Sequence, residues 1–156
     1  MNPKIQEKLK SSEFDYKLYP HSRNTSRCED SAVERSVELY QTLKCMLAKN
    51  AQETIVALLL RGDHKLKIKR VRSLLNQAVD LLTDKEIIGL NLSKGAISPL
   101  LLPSRCHIII DEAVLATNWI TFSAGQHDLG IGMFTKDLIC LIGPADIGLI
   151  RSTSNS

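Results

Sequence analysis

The 156-residue sequence is poor in aromatic side chains, which make up 4% of it, against 44% for all hydrophobic residues. Its core must therefore be aliphatic, built from the many Leu and Ile side chains. The length fits one domain with a sizeable core, which we place at residues 1–150. The polar residues 151–156 are predicted to form a disordered tail.

Cysteine is scattered rather than clustered. Cys28, Cys45, Cys106 and Cys140 form no Cys-x-x-Cys pair, and no His/Cys cluster has the spacing of a zinc site. Three of the four lie in apolar runs, which is typical of reduced thiols in a core. We therefore expect neither a metal nor another cofactor.

Several familiar signatures are also missing. No Gly-x-x-x-x-Gly-Lys or Gly-x-Gly-x-x-Gly phosphate loop occurs, and Ser98 is not in a Gly-x-Ser-x-Gly elbow. The apolar runs are too short to span a membrane and Met1–Lys10 is charged, so we expect a soluble, cytoplasmic protein without a membrane partner. A net charge of +3 tolerates a polyanionic partner without requiring one.

The stretch Gln41–Ala48 alternates in a way that predicts a strand. Its side chains divide between two largely apolar faces, Leu43, Cys45 and Leu47 against Thr42, Lys44, Met46 and Ala48. Apolar residues on both faces indicate a strand that is covered on both sides. Lys44 then either extends to an edge, with its ammonium group in water, or points into a cleft that the Thr42 face lines.

Alternation, capping residues and breaks at Gly or Pro divide the rest of the chain into short elements. The other predicted strands are Phe14–Tyr19, Thr54–Leu60, Val79–Leu82, Cys106–Ile110, Trp119–Phe122 and Gly130–Phe134. One helix is predicted over Lys65–Asn76. Three more are predicted to begin after the capping residues Ser31, Thr83 and Thr135. We therefore predict an α+β fold with a mixed, mostly antiparallel central sheet of about six or seven strands, flanked by short helices.

Three polar features could converge on one cleft: Lys44, the Gly62–His64 corner and the loop Gly95–Pro99. A glycine-bearing loop ahead of a strand can direct backbone N–H groups at a carbonyl oxygen or a phosphate, although most such loops are only turns. The basic residues between Lys65 and Arg72 could contact a nucleic-acid backbone or form a solvated helix face.

The order of these pieces resembles a known family. The matching segments are Gln41–Lys44, Arg61–His64, Gly95–Pro99, Ile110–Asp111, Ser123–Gly125 and Thr135–Leu138. Together they resemble the YbaK/prolyl-tRNA synthetase-associated domain, an editing domain found in bacterial prolyl-tRNA synthetases and as freestanding proteins. The chain departs from that pattern at Ala96, where a second glycine is frequent, and at Leu100–Leu101, where Phe-Gly is common.

The resemblance implies a trans-editing deacylase that hydrolyses the ester of tRNA mischarged with Ala, Ser, Thr or Cys. The residues it implies as catalytic are Lys44, Gly95, Ala96 and Ile97. The residues it implies in substrate binding are His21, Asp63, Ser98, Pro99, Gly125 and His127, with Lys65, Lys69 and Arg72 contacting tRNA. The implied partners are the acceptor end of tRNA and an aminoacyl-tRNA synthetase. The alternatives are a non-catalytic tRNA- or synthetase-binding module of the same fold and an enzyme for another small ester or thioester.

Overall fold

A computed structural model of the chain describes residues 1–153 as an α+β fold. The helices are α1 (Pro3–Ser12), α2 (Cys28–Arg35), α3 (Ile68–Leu75), α4 (Asp84–Gly89), α5 (Glu112–Leu115) and α6 (Thr135–Ile142), with a 3-10 turn at Leu39–Gln41. The strands are β1 (Tyr16–Pro20), β2 (Leu43–Asn50), β3 (Ile55–Arg61), β4 (Val79–Leu81), β5 (His107–Asp111), β6 (Trp119–Gln126), β7 (Leu129–Phe134) and β8 (Asp146–Gly148). None of the helices in this part of the chain is long and apolar enough to cross a membrane.

The strands are shared between two sheets. The larger sheet has the order β4-β2-β3-β5-β8, with the β2–β3 hairpin at its centre and parallel pairing from β3 to β5 to β8. The smaller sheet, β1-β7-β6, is antiparallel and is joined to the larger one by a parallel bridge between Thr42 and Thr121. The predicted mixed α+β class is confirmed, but one central sheet is replaced by two.

The second sheet exists because its apolar face covers the first. Ile120 and Phe122 of β6 belong to the same buried cluster as Leu43 and Leu47 of β2. A second buried cluster on the opposite face includes Ala48 together with residues of β3, α3 and β5. A fully buried Leu, Ile or Phe side chain contributes about 1.5–3 kcal/mol. The two clusters cover both faces of β2, as its sequence indicated.

Local signals were correct in some places and overridden in others. Thr83 and Glu86 form the predicted capping box of α4. Ser31 caps no helix, because α2 already begins at Cys28 and the Ser31 hydroxyl bonds to Thr25 Oγ1 at 2.8 Å. Thr135 is the first residue of α6 rather than its cap, and its buried hydroxyl has no partner within residues 1–153.

The predicted disordered tail is wrong at Arg151. The Asp111 carboxylate, which is fully buried, accepts hydrogen bonds from the Ile150 and Arg151 amides and from the Arg151 guanidinium at 2.9 Å. Arg151 also bridges to Leu66 ahead of α3. The ordered chain therefore extends beyond the predicted boundary at 150, while residues 154–156 of the predicted tail lie outside the described residues.

Candidate functional site

A cavity of about 840 Å³, here called the outer cavity, lies beside β2. Its walls come from the segment before α2, from β2, from the residues leading into α3, from α4 and from the loop that carries Gly95. The apolar part of the lining includes Met46, Leu66, Ile68 and Ile87. Segments that are far apart in the sequence thus form one concave surface.

A smaller space of about 70 Å³, here called the inner pocket, adjoins the outer cavity. The residues that line both are Ser26, Arg27, Lys44, Cys45, Gly95 and Ile97. The remaining walls of the inner pocket are Cys28, Ser31, Arg35, Leu43 and Ser123. The two spaces therefore form a continuous site with a narrow polar end and a wide, mostly apolar end.

Lys44 lies where the two spaces meet. It is half-buried, lines both spaces together with Gly95 and Ile97, and makes no ion pair within residues 1–153. We expected Thr42 on the cleft-lining face, but it is buried and lines neither space. It packs against Gly62, where an added Cβ would collide with the Thr42 hydroxyl and would lie 2.8 Å from Cys28 Cβ. The Lys44 ammonium is thus a charge in a cleft, without a counter-ion among the described residues.

The loop with Gly95 closes against the segment before α2. Gly95 has a φ of +80°, and a Cβ at this position would lie 2.8 Å from Ser26 Cβ and 3.0 Å from Ser26 O. Only glycine permits both the backbone conformation and the contact. The amide of Ala96 donates to Ser93 O at 3.0 Å, so it is not free to bind an oxyanion as predicted. The amides of Gly95 and Ile97 donate no hydrogen bond within residues 1–153.

Other predicted substrate-binding residues do not line either space. Asp63 is held by the Arg61 guanidinium at 2.6 and 3.0 Å, and this bond lowers the pKa of the Asp63 carboxyl. Ser98 and Pro99, at the end of the loop, are buried, and the Ser98 hydroxyl accepts a hydrogen bond from the Leu100 amide. Gly125 sits in a β-bulge after Ser123 with a φ of +89°.

The two histidines have structural contacts instead of facing the site. His21 Nδ1 lies 3.1 Å from His127 O, and His127 Nδ1 lies 2.9 Å from Thr25 O. The β6–β7 turn is thereby fastened to the segment that leads into α2. His21 Nε2 accepts from Arg35 Nε at 3.2 Å, so both ring nitrogens of His21 lie within hydrogen-bonding distance of other residues of the chain. Burial, together with the nearby Arg35 charge, lowers the pKa of His21.

The predicted tRNA-binding residues separate into different environments. Lys65 lines the outer cavity and Lys69 is exposed on α3. Arg72 donates to Val79 O at 2.9 Å and to Asp80 at 3.0 Å, so it fastens β4 to α3. Sequence reasoning missed Arg27 and Lys94, which also line the outer cavity. The position of Lys94 directly before Gly95 is the one local signal that could have indicated it.

Arg35 and Cys28 of the inner pocket were also missed. Arg35 ends α2 and is 7% exposed, and burial lowers the pKa of its guanidinium to about 10. Burial raises the pKa of the Cys28 thiol, a shift that a bond to Thr42 and the Lys44 charge oppose. Nothing in the sequence around Arg35 marks it as part of a cleft. Within the described residues, no group of three His, Cys, Asp or Glu side chains is placed to hold a metal ion.

The fold and the site define a small α+β domain with a cationic cleft between a sheet strand and a glycine-bearing loop. Residues 22–141 match the family model of the aminoacyl-tRNA editing domain, and the chain belongs to this family. The resemblance inferred from the order of the sequence segments is therefore confirmed.

Two curated relatives are proline–tRNA ligases. One, from Fusobacterium nucleatum, is 31% identical over 96 residues, covering 60% of this chain and 17% of the ligase. The other, from Francisella tularensis subsp. novicida, is 30% identical over 112 residues, covering 69% of this chain and 19% of the ligase. The chain thus spans less than a fifth of the length of these relatives.

Crystal structures of similar proteins share the whole fold. The hypothetical protein APE2540 has a TM-score of 0.87 at 19% identity, with 96% of this chain and 99% of that chain covered. A proposed trans-editing enzyme for prolyl-tRNA synthetase has a TM-score of 0.85 at 18% identity, with coverage of 98% and 99%. At this level of identity the likeness establishes the fold alone.

Proposed function

We propose that this domain is an aminoacyl-tRNA deacylase that hydrolyses the ester of tRNA mischarged with a small amino acid, acting in trans in the cytoplasm. The observation that carries the proposal is the Lys44 ammonium, which has no counter-ion within residues 1–153 and lies at the junction of the inner pocket and the outer cavity. The chain belongs to the aminoacyl-tRNA editing domain family, which supports an aminoacyl ester as the ligand of this site.

The sizes of the two spaces match the two parts of such a substrate. The inner pocket of about 70 Å³ has room for two water molecules at about 30 Å³ each, or for a side chain of two or three heavy atoms. The side chains of Ser, Cys and Thr have two or three heavy atoms and that of Ala has one, so all four would fit. The outer cavity of about 840 Å³ lies within the range of about 300–1,000 Å³ typical of ligand sites and would take the terminal nucleoside.

The reaction adds water to the ester carbonyl carbon and then breaks the bond to the ribose oxygen, which leaves with a proton. Negative charge develops on the carbonyl oxygen during the addition. The free amides of Gly95 and Ile97 and the Lys44 ammonium would stabilise that charge. One such donor is worth about 3–4 kcal/mol in other enzymes. Since an ester is already activated, positioning supplies most of what the reaction needs.

The remaining cations of the outer cavity would hold the acceptor end of tRNA. Arg27, Lys65 and Lys94 line this space, and Lys94 is paired with Asp84 at 3.0 Å across its exposed rim. Phosphate contacts by such side chains give affinity without sequence specificity. Since the curated relatives are proline–tRNA ligases, we propose tRNA for proline as the first substrate to test and the corresponding synthetase as a partner.

The test is deacylation of tRNA charged with Ala, Ser, Thr or Cys by the wild type, by Lys44→Ala and by Lys136→Ala. Lys136 is exposed on α6 and lines neither space, so Lys136→Ala controls for the loss of one lysine. We expect Lys44→Ala to lose about 100-fold or more in kcat/KM, with the control unchanged. Wild-type protein that binds these tRNAs without hydrolysing any of them would instead establish a non-catalytic module.

A further inference from the structure

Arg35 is a buried arginine without an anionic partner. It lines the inner pocket, is 7% exposed, and makes no ion pair within residues 1–153. Its Nε donates to His21 Nε2 at 3.2 Å and its Nη1 donates to Thr121 Oγ1 at 3.0 Å. Because Nε can only donate, His21 must be neutral, with its proton on Nδ1. Two neutral acceptors thus fix the guanidinium in place without neutralising it.

The fold makes room for this guanidinium. A Cβ added to Gly130 of β7 would collide with Arg35 Nε and would lie 2.8 Å from Arg35 Cζ. A buried charge is costly unless it is paired or hydrogen-bonded. Arg35 Nη2, however, makes no hydrogen bond within the described part of the chain. The inner pocket therefore contains a positioned donor with unused hydrogen-bonding capacity.

The other polar groups of the inner pocket already have partners. The Ser31 hydroxyl is 2.8 Å from Thr25 Oγ1. The Ser123 hydroxyl donates to Gln126 O and accepts from the Gly125 amide. The N–H groups of the pocket lining without a partner within residues 1–153 are donors, on Arg35, on Lys44 and on the amides of Gly95 and Ile97. A ligand in this pocket should therefore present a hydrogen-bond acceptor on a group of two or three heavy atoms.

We propose that Arg35 is a specificity-determining residue, which donates a hydrogen bond to the side-chain hydroxyl of the substrate and selects seryl and threonyl esters over alanyl esters. This inference rests on the proposed function and assigns the inner pocket to the side chain of the substrate. An alanyl side chain would leave the guanidinium desolvated and without an acceptor. A site built to bind a hydroxyl can reject the analogue that lacks it by about 10⁴-fold or more, whereas size alone discriminates about 10–200-fold.

The test compares kcat/KM for one tRNA charged with Ser or with Ala. The variants are Arg35→Met and the control Arg23→Met, in which an exposed arginine outside both spaces is replaced in the same way. We expect the wild type to prefer Ser over Ala by at least about 100-fold. In Arg35→Met this ratio should fall more than tenfold, whereas Arg23→Met should keep it. A purely structural role for Arg35 would lower both rates and leave the ratio unchanged.

Three results would overturn the inference. Wild-type protein that hydrolyses Ala-tRNA as fast as Ser-tRNA would overturn it without affecting the proposed deacylase function. An unchanged Ser/Ala ratio in Arg35→Met would do the same. If that variant does not fold, Gly130→Ala displaces the guanidinium and must lower the ratio. Hydrolysis of neither ester by the wild type would overturn the proposed function, and the inference with it.

Discussion

The contact between Gly95 and Ser26 predicts the effect of the substitution Gly95→Ala. At a φ of +80° the new side chain is strained, at a cost of about 1–2 kcal/mol. Its Cβ would also lie 2.8 Å from Ser26 Cβ and 3.0 Å from the Ser26 carbonyl oxygen, both closer than ordinary van der Waals contact. Overpacking of this kind adds about 1–3 kcal/mol. We therefore expect a loss of about 2–5 kcal/mol unless the loop moves away from the segment before α2.

Movement of the loop would displace the free amides of Gly95 and Ile97 from Lys44. The variant is thus expected to lose activity by about 10²-fold or more, comparable to the loss of one oxyanion donor. Urea unfolding measures the first effect, and deacylation of mischarged tRNA measures the second. A variant that has lost stability but kept its rate would show that the loop does not supply the donors.

Two other glycines provide matched controls for Gly95→Ala. Gly143 also has a positive φ, +86°, but a Cβ there would meet nothing within 4 Å, so Gly143→Ala isolates the cost of backbone strain. Gly89 lies at the end of α4 with nothing within 4 Å, and Gly89→Ala should leave both stability and activity nearly unchanged. If Gly95→Ala is no more destabilising than Gly143→Ala, the close contact with Ser26 contributes nothing and this reasoning is refuted.

Two further predictions concern pH and tRNA affinity. Because burial and Arg35 lower the pKa of His21 below the unfolded value of 6.5, the unfolded chain binds the proton more tightly. The stability contribution of neutral His21 should be complete above pH 6.5 and should fall as the pH decreases below it. Thermal unfolding between pH 7.5 and 5 should show this loss in the wild type and less of it in His21→Gln; equal losses would contradict it. Lys69→Glu should weaken tRNA binding and flatten its salt dependence by at least about one phosphate contact. Arg72→Glu should also destabilise β4. Unchanged affinity and salt dependence in Lys69→Glu would show that this helix face is only solvated.

The parts of the fold that the sequence predicted correctly depend on interactions between near neighbours. The Thr83–Glu86 capping box spans one helical turn, and the β2–β3 hairpin closes through a short turn after Asn50. The division of the strands between two sheets was not predictable in this way. It depends on β6 covering β2, which places Phe122 and Leu47 in one buried cluster although they are distant in the sequence and no local pattern links them.

The candidate site shows the same distinction. The Lys44 ammonium and the Gly95 loop were identified from their surroundings and from the order of the segments, and the structure places them together. Asp63 was expected in the cleft, but the arginine two residues before it holds its carboxylate. His21 was expected to bind substrate, but it contacts Arg35 and a carbonyl from a turn 106 residues away. Polar residues near a strand end compete for partners, and the sequence does not say which partner prevails.

Sequence patterns alone predicted a strand with two apolar faces, a lysine at an edge or in a cleft, and a glycine-bearing loop that could converge with it on one cleft. These follow from side-chain alternation and from the backbone freedom of glycine, which are local properties. That Lys44 and the Gly95 loop line the same two spaces, and that Arg35 lines the inner pocket, follows from the packing of the whole chain. The reason is that Thr121 of β6 and Gly130 of β7 hold Arg35 in this place, and no local pattern encodes contacts between residues so far apart in the sequence.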